Sequence, residues 1–226
     1  MESEPQNQEE SNLYTMARYT GPKEKIERRL GTKLFLKGER SFSPKSATIK
    51  RMYPPGVHGK AFRRHASEYG MQLQSKQRVR NTYRMLEKQF KNLAKVAIGS
   101  KKETGDLLVR TLEKRLDNVV YRSGLAQSRD QARQIVSHGH ITVNGRKTTI
   151  PSFEVNLGDV IKVREGSQKS KYFSALVSQW IKKYEAPKWI ELDRDALTAK
   201  IVGIPTLQDS GLDSKDIQSL VEFYSR

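Results

Sequence analysis

Residues 128–147, SRDQARQIVSHGHITVNGRK, constrain this chain more than any other stretch. Ser128 followed three residues later by Gln131 is a capping-box pattern and predicts a helix start. On that helix Ala132, Ile135 and Val136 share one face, while Arg129, Arg133 and Ser137 share another. Gly139 is a natural helix stop. Ile141 and Val143 then alternate with Thr142 and Asn144, and Asn144-Gly145 is the strongest short hairpin signal. A short helix with an apolar back and a basic front therefore runs straight into a β-hairpin. Two guanidinium groups one turn apart suit a phosphate backbone, because each can bond bidentately, and on this reading their removal spares the core. The ordinary alternative for two arginines on one helix is a solvated surface.

The charge decides between these. The chain of 226 residues carries a formal +17 with pI ≈ 10.0, which speaks of polyanionic partners rather than of fold. Residues 1–15 hold Glu2, Glu4, Glu9 and Glu10 and no base, whereas residues 16–105 hold 23 Lys and Arg against 6 Asp and Glu. One segment thus carries the excess. Cysteine is absent, which excludes disulfides and every thiolate metal site or nucleophile. No apolar run is long enough to span a bilayer and no signal-peptide pattern opens the chain, so the cytoplasm is the default expectation.

Residues 1–15 are expected to be a disordered acidic extension, with Met16 a second plausible start. Residues 17–66 are basic and turn-rich, with Ile26, Leu30, Leu34, Phe35, Leu36 and Phe42 as a small satellite core, and Tyr53-Pro-Pro-Gly-Val-His-Gly forbids a helix there. Residues 67–98 read as one helix on Leu73, Val79, Tyr83, Leu86, Phe90, Leu93 and Val96, and 106–123 as a second on Leu108, Leu112, Leu116, Val119 and Val120, with a linker at 99–105. Strands are expected around Asp159-Val-Ile-Lys-Val, Trp189-Ile-Glu-Leu and Ala199-Lys-Ile-Val. A helix over 171–184 presents Phe173, Leu176, Val177, Trp180 and Ile181 as a core stripe, and a terminal helix carries Ile217, Leu220 and Val221.

ARYTGP at 17–22, GTKLFLKGER at 31–40, YPPG at 53–56 with HG at 58–59, LEKQF at 86–90, EKRLDNVVYR at 113–122, SHGH at 137–140 and VEFYSR at 221–226 together resemble one family. It is that of the fourth protein of the bacterial-type small ribosomal subunit, matched in order from about residue 16 to the end. The resemblance implies an α+β fold. A basic helical domain spans 16–106 and is completed by the tail 210–226. An α+β domain spans 107–209, with a helix–helix–β-hairpin RNA-binding module at about 113–175. It implies direct binding of small-subunit ribosomal RNA, early assembly of the subunit body, and an effect on decoding accuracy. The implied neighbours are the fifth protein of the small subunit and messenger RNA where it enters the ribosome; no membrane is implied.

The candidate RNA contacts are Arg18, Tyr19, Lys33, Lys50, Arg51, His58, Arg63 and Arg64 in the basic loops, and Lys76, Arg78 and Arg80 on the helix that follows. In the module they are Arg115, Arg122, Ser128, Arg129, Gln131, Arg133, Gln134, Ser137, His138, His140, Asn144 and Lys147. Many family members bind zinc through four cysteines; here those places hold Glu24, Glu27, Ser41 and Ser46, so neither metal nor cofactor is expected.

Two other classes compete. The same module occurs in RNA pseudouridine synthases, whose catalytic triplet Arg115-Leu-Asp117 resembles superficially. Asp117, however, falls within a helical apolar pattern and no second large sheet domain is present to build a pocket, so no enzyme and no catalytic residue are expected. A DNA or membrane-surface protein would also be basic. The cations here spread over loops and helices rather than along one amphipathic helix, which disfavours the membrane, while Arg129 leaves DNA open.

Overall fold

The computed structural model describes residues 19–62, 65–100 and 103–225. The acidic extension 1–15 and the candidate contacts Arg18, Arg63 and Arg64 lie outside the described residues.

Two large apolar clusters organise the chain. The first joins the helices Glu68–Thr82, Glu87–Ile98, Thr104–Glu113 and the terminal Ser214–Ser225 around Val79, Tyr83, Phe90, Leu108, Leu112, Ile217 and Leu220. The helix Ser214–Ser225 returns across more than a hundred residues to pack on Glu68–Thr82, so this cluster closes only once that helix is in place. The second cluster lies between the helices Leu116–Arg122 and Arg129–Ser137 and a five-stranded antiparallel sheet of order β2-β1-β3-β5-β4. Its strands are β1 (Ile141–Val143), β2 (Arg146–Lys147), β3 (Val160–Val163), β4 (Ile190–Asp193) and β5 (Thr198–Ile201). This α+β arrangement is the expected fold class. A small third cluster holds Leu30, Leu34 and Leu36 with Ile26. Phe35 and Phe42, expected in it, are exposed.

The 67–98 segment is two helices. Arg84 takes φ +55 between them, and its side chain and its carbonyl are both held by the Arg129–Ser137 helix. The apolar period runs unbroken through the turn, so the interruption is tertiary in origin. Val96, placed on the apolar face by spacing, is 72% exposed.

The 106–123 segment is likewise interrupted. Arg115 is extended at ψ 136 and pairs with Glu154, while Leu116 N–H donates to Phe153 C=O at 2.8 Å and Val155 N–H to Lys114 C=O at 2.9 Å. A strand-like pairing thus replaces one helical turn. The packing changes from the first cluster to the second at Lys114 and Arg115, downstream of the 99–105 stretch read as linker; Gly105 itself sits in a helix against Ile217.

The hairpin forms as read, with Asn144 at φ +50 and Gly145 at φ +80, the two left-handed positions such a turn requires. The 171–184 helix forms in two pieces. Residues Tyr172–Val177 make a wider turn, which leaves Leu176 exposed while Phe173, Val177 and Ile181 are buried.

Candidate nucleic-acid interface

Between the clusters lies an open groove of about 990 Å³. It is lined by Lys23 of the helix Lys23–Leu30, by Lys37 and Arg40 from the segment that follows it, by Gln127, Ser128, Gln131, Arg133, Gln134 and Ser137, and by Arg115 with residues 149–152. Asp130 is the one carboxylate among its lining residues. Lys23, Lys37 and Arg40 keep partly exposed side chains there beside a row of amides and hydroxyls, chemistry that suits an anionic, hydrogen-bonding ligand.

The helix Arg129–Ser137 supplies one wall because its sequence splits cleanly. Ala132, Ile135 and Val136 are buried against the sheet. Ser128 caps it, its hydroxyl accepting from Gln131 N–H at 3.3 Å. The box does not close as expected: the Gln131 carboxamide oxygen accepts from Gln127 N–H at 2.9 Å, one residue upstream. Ser137 Oγ is buried without a hydrogen-bond partner at the groove wall, a donor and acceptor in reserve for a ligand.

The arginines of this helix are not solvated forks. Arg133 reaches the Asp117 carboxylate at 2.6 and 2.9 Å and donates to the carbonyls of Tyr83 and Arg84 in the first cluster. Arg129 donates to Asn118 Oδ1 at 2.7 Å and lies over the rings of Tyr83 and Tyr121 at 4.8 and 4.6 Å. Arg115 is buried and pairs with Asp117 at 3.0 Å. The expectation that removing Arg129 and Arg133 spares the core is therefore corrected: both join the two clusters.

Beneath them sits Glu113, fully buried, accepting from Tyr83 OH at 2.6 Å, from Asn118 Nδ2 at 2.7 Å and from Arg122 at 2.9 and 3.0 Å. Burial drives its carboxyl upward, but Arg122 above all, then Arg129 and the Tyr83 bond, hold it below the usual carboxylate range. Burial, with Glu113 beside it, raises the Tyr83 phenol well above its ordinary value. Arg122 also caps Ser210 C=O at 2.7 Å, so it serves the fold.

Other candidates divide sharply. Lys33, Lys50, Arg51 and His58 are exposed on the N-terminal loops, and Tyr19 stands at the groove mouth under the Arg84 guanidinium, 5.3 Å from its ring. Gln134, His138, Asn144 and Lys147 are exposed along the second cluster. His140 shares a hydrogen bond with Ser167 at 2.9 Å, and burial, then His138 and Arg164, lower its pKa. Lys76, Arg78 and Arg80 turn away from the groove. Lys76 is buried 2.5 Å from Glu87, Arg78 grips Asp216 at 2.7 Å, and Arg80 leans on Glu87 at 3.7 Å. Lys23, Lys37 and Arg40 were not singled out as contacts; only the folded chain brings them to Arg133.

The four family zinc positions do not fit a metal. Glu27 is buried, with one carboxylate oxygen accepting the N–H groups of Leu34 and Leu36 at 3.1 and 3.2 Å. Ser41 accepts from Lys37 N–H, and Ser46 bonds Thr48. Glu24 lies 3.8 Å from both Lys37 and Arg40, whose charges repel a dication. Hard oxygens already engaged with backbone and cations do not replace a thiolate tetrahedron.

Fold and groove define a basic α+β protein with a seam lined by cations, amides and hydroxyls. Residues 18–113 match the family described as ribosomal protein S4/S9 N-terminal domain, and residues 114–161 match the S4 domain. The chain is 48% identical over 211 residues to small ribosomal subunit protein uS4 of Clostridioides difficile, and 47% identical over 211 residues to that of Kosmotoga olearia. Each match covers 93% of this chain and 100% of the relative. The chain belongs to the uS4 family of small ribosomal subunit proteins. This is a family of ribosomal proteins and not of enzymes, and Asp117 accordingly spends its carboxylate on Arg115 and Arg133.

Proposed function

We propose that this protein is a constituent of the small subunit of the cytoplasmic ribosome and binds its ribosomal RNA through the groove between the two clusters. The observation that carries the reading is the groove itself: the partly exposed cations Lys23, Lys37 and Arg40 and a row of amides and hydroxyls, at a seam fixed by the buried pairs of Asp117 with Arg115 and Arg133. Release of counterions from the phosphates supplies the affinity, and the exposed Lys33, Lys50, Arg51, His58 and Lys147 extend the contact beyond the walls.

The packing unit of residues 19–113 with the helix Ser214–Ser225 grips one side of the RNA, and the unit of residues 114–201 the other. Each has its own apolar core, so the chain docks on RNA without another protein's help and serves as an early nucleus for the subunit body. The fifth small-subunit protein and messenger RNA are its neighbours there, and through them it influences decoding accuracy.

Sedimentation tests the reading. Tagged protein expressed in cells should travel with small subunits through a high-salt gradient; recovery only at the top of the gradient would contradict it. Binding to duplex DNA as tight as to small-subunit rRNA at one fixed salt would favour a general nucleic-acid binder instead.

A further inference from the structure

The N-terminal loop displays a pair of aromatic rings that the groove does not use. Phe35 and Phe42 stack with centroids 5.0 Å apart and planes inclined by 21°. They nevertheless remain 39% and 70% exposed. The display is built rather than incidental. Glu27, itself buried, holds the N–H groups of Leu34 and Leu36 with a single oxygen. Both leucines turn inward, and Phe35 between them is thrown outward at φ +54, a conformation bulky side chains rarely adopt. A loop selected only for stability would bury these rings or replace them.

The surroundings name the ligand. Lys33 and Lys45 are exposed beside the rings in sequence, and the Arg40 side chain is 60% exposed. Lys37 and Arg40 also line the groove, so the aromatic pair adjoins the cationic surface. Stacked rings among cations next to a polyanion groove are the arrangement that holds an unpaired nucleobase, with its ring on the aromatic face and its phosphates on the cations.

We propose that Phe35 and Phe42 form a stacking platform for an unpaired base of the RNA whose backbone occupies the groove. This rests on the reading of the groove as an RNA interface and adds to it a contact that senses single-stranded structure rather than charge.

The test uses the full chain and a small-subunit rRNA transcript. Phe42→Ala should bind about five- to 150-fold more weakly, the loss of one stacked base, with the salt slope unchanged because no cation is removed. Phe42→Tyr should bind as the parent does, since it keeps the ring. Phe42→Trp should lose indole emission on RNA addition beyond the change shown by the parent's own Trp180 and Trp189. The exposure of Phe42 leaves folding intact, which an unchanged melting temperature checks. If the parent binds the transcript and Phe42→Ala binds equally well, the platform is overturned while the groove stands; the same holds if Phe42→Ala instead loses a protein neighbour from the subunit. If the parent does not bind the transcript, both readings fall.

Discussion

Arg84 and Arg133 exchange contacts across the seam between the two clusters. The Arg84 guanidinium holds Asp130 at 2.9 and 3.0 Å, three residues before Arg133 in the same helix, and Arg133 Nη1 donates at 2.5 Å to the carbonyl of Arg84 itself. Asp117 anchors Arg133 from below, and Lys23 meets Asp130 at 2.6 Å from the N-terminal loop. This lattice fixes the spacing of the groove walls, because every member except Lys23 is at most one-fifth exposed.

Arg133→Ala should therefore destabilise the protein by about 2–4 kcal/mol, since it leaves the buried Asp117 with one partner and two carbonyls uncapped. Urea unfolding followed by circular dichroism reads this directly. A variant as stable as the parent would show that the seam is not held by these bonds.

Glu113 makes the fold acid-sensitive. Its folded pKa lies below the ordinary value, so its ion pairs contribute fully above about pH 4.3, and the contribution is lost as pH falls through the lower folded value. Asp130 behaves alike: burial raises its carboxyl, but Arg84 and Lys23 bring it down overall. Stability should decline modestly as pH falls through the ordinary histidine value of 6.5, because the folded chain resists protonating His140, and fall steeply below about pH 4. Glu113→Gln should weaken the protein at pH 7 and flatten that fall. An unaltered acid limb in the variant would remove Glu113 from the account.

Two left-handed glycines should differ in how much they resist alanine. At Gly124, φ +73, a Cβ would come within 2.6 Å of the Tyr184 ring, which is fixed by its hydroxyl bond to Arg122 C=O. At Gly139, φ +73, the nearest obstacle is the flexible end of Lys147. Gly124→Ala should cost about 2–4 kcal/mol and Gly139→Ala about 1–2 kcal/mol. Thermal denaturation of the two, side by side, checks the order.

Local chemistry was legible in the sequence, and long-range chemistry was not. Asn144-Gly145 announced the hairpin because two left-handed residues in a row admit few alternatives. Ala132, Ile135 and Val136 announced the buried face. The break at Arg84 carried no glycine or proline, and its cause lies 46 and 49 residues away in Asp130 and Arg133. Arg129 and Arg133 looked like free phosphate ligands because Asn118 and Asp117, on the preceding helix, share no pattern with them. Lys76 and Arg78 resemble free cations for the same reason: Glu87 meets Lys76 only after the turn at Arg84, and Asp216 meets Arg78 only once the tail has packed. Hydrophobicity alone places Phe35 and Phe42 in the core, whereas the Glu27 bonds to Leu34 and Leu36 turn Phe35 outward and Phe42 stacks on it.

The groove can be tested at its walls. Lys23, Lys37 and Arg40 are the more exposed of the lining cations, at 30–60% against 10% and 18% for Arg115 and Arg133. Replacing all three by Gln removes the charges and keeps amide donors for Asp130 and Glu24, with an unchanged melting temperature as the control for the fold. Binding of the parent and the triple variant to small-subunit rRNA should then be measured from roughly 50 to 200 mM salt. The parent's log K should fall steeply with log salt, and the variant should bind more weakly with a slope shallower by about 2. A parent whose affinity hardly changes with salt, or a variant with the parent's slope, would contradict the assignment of this groove to RNA.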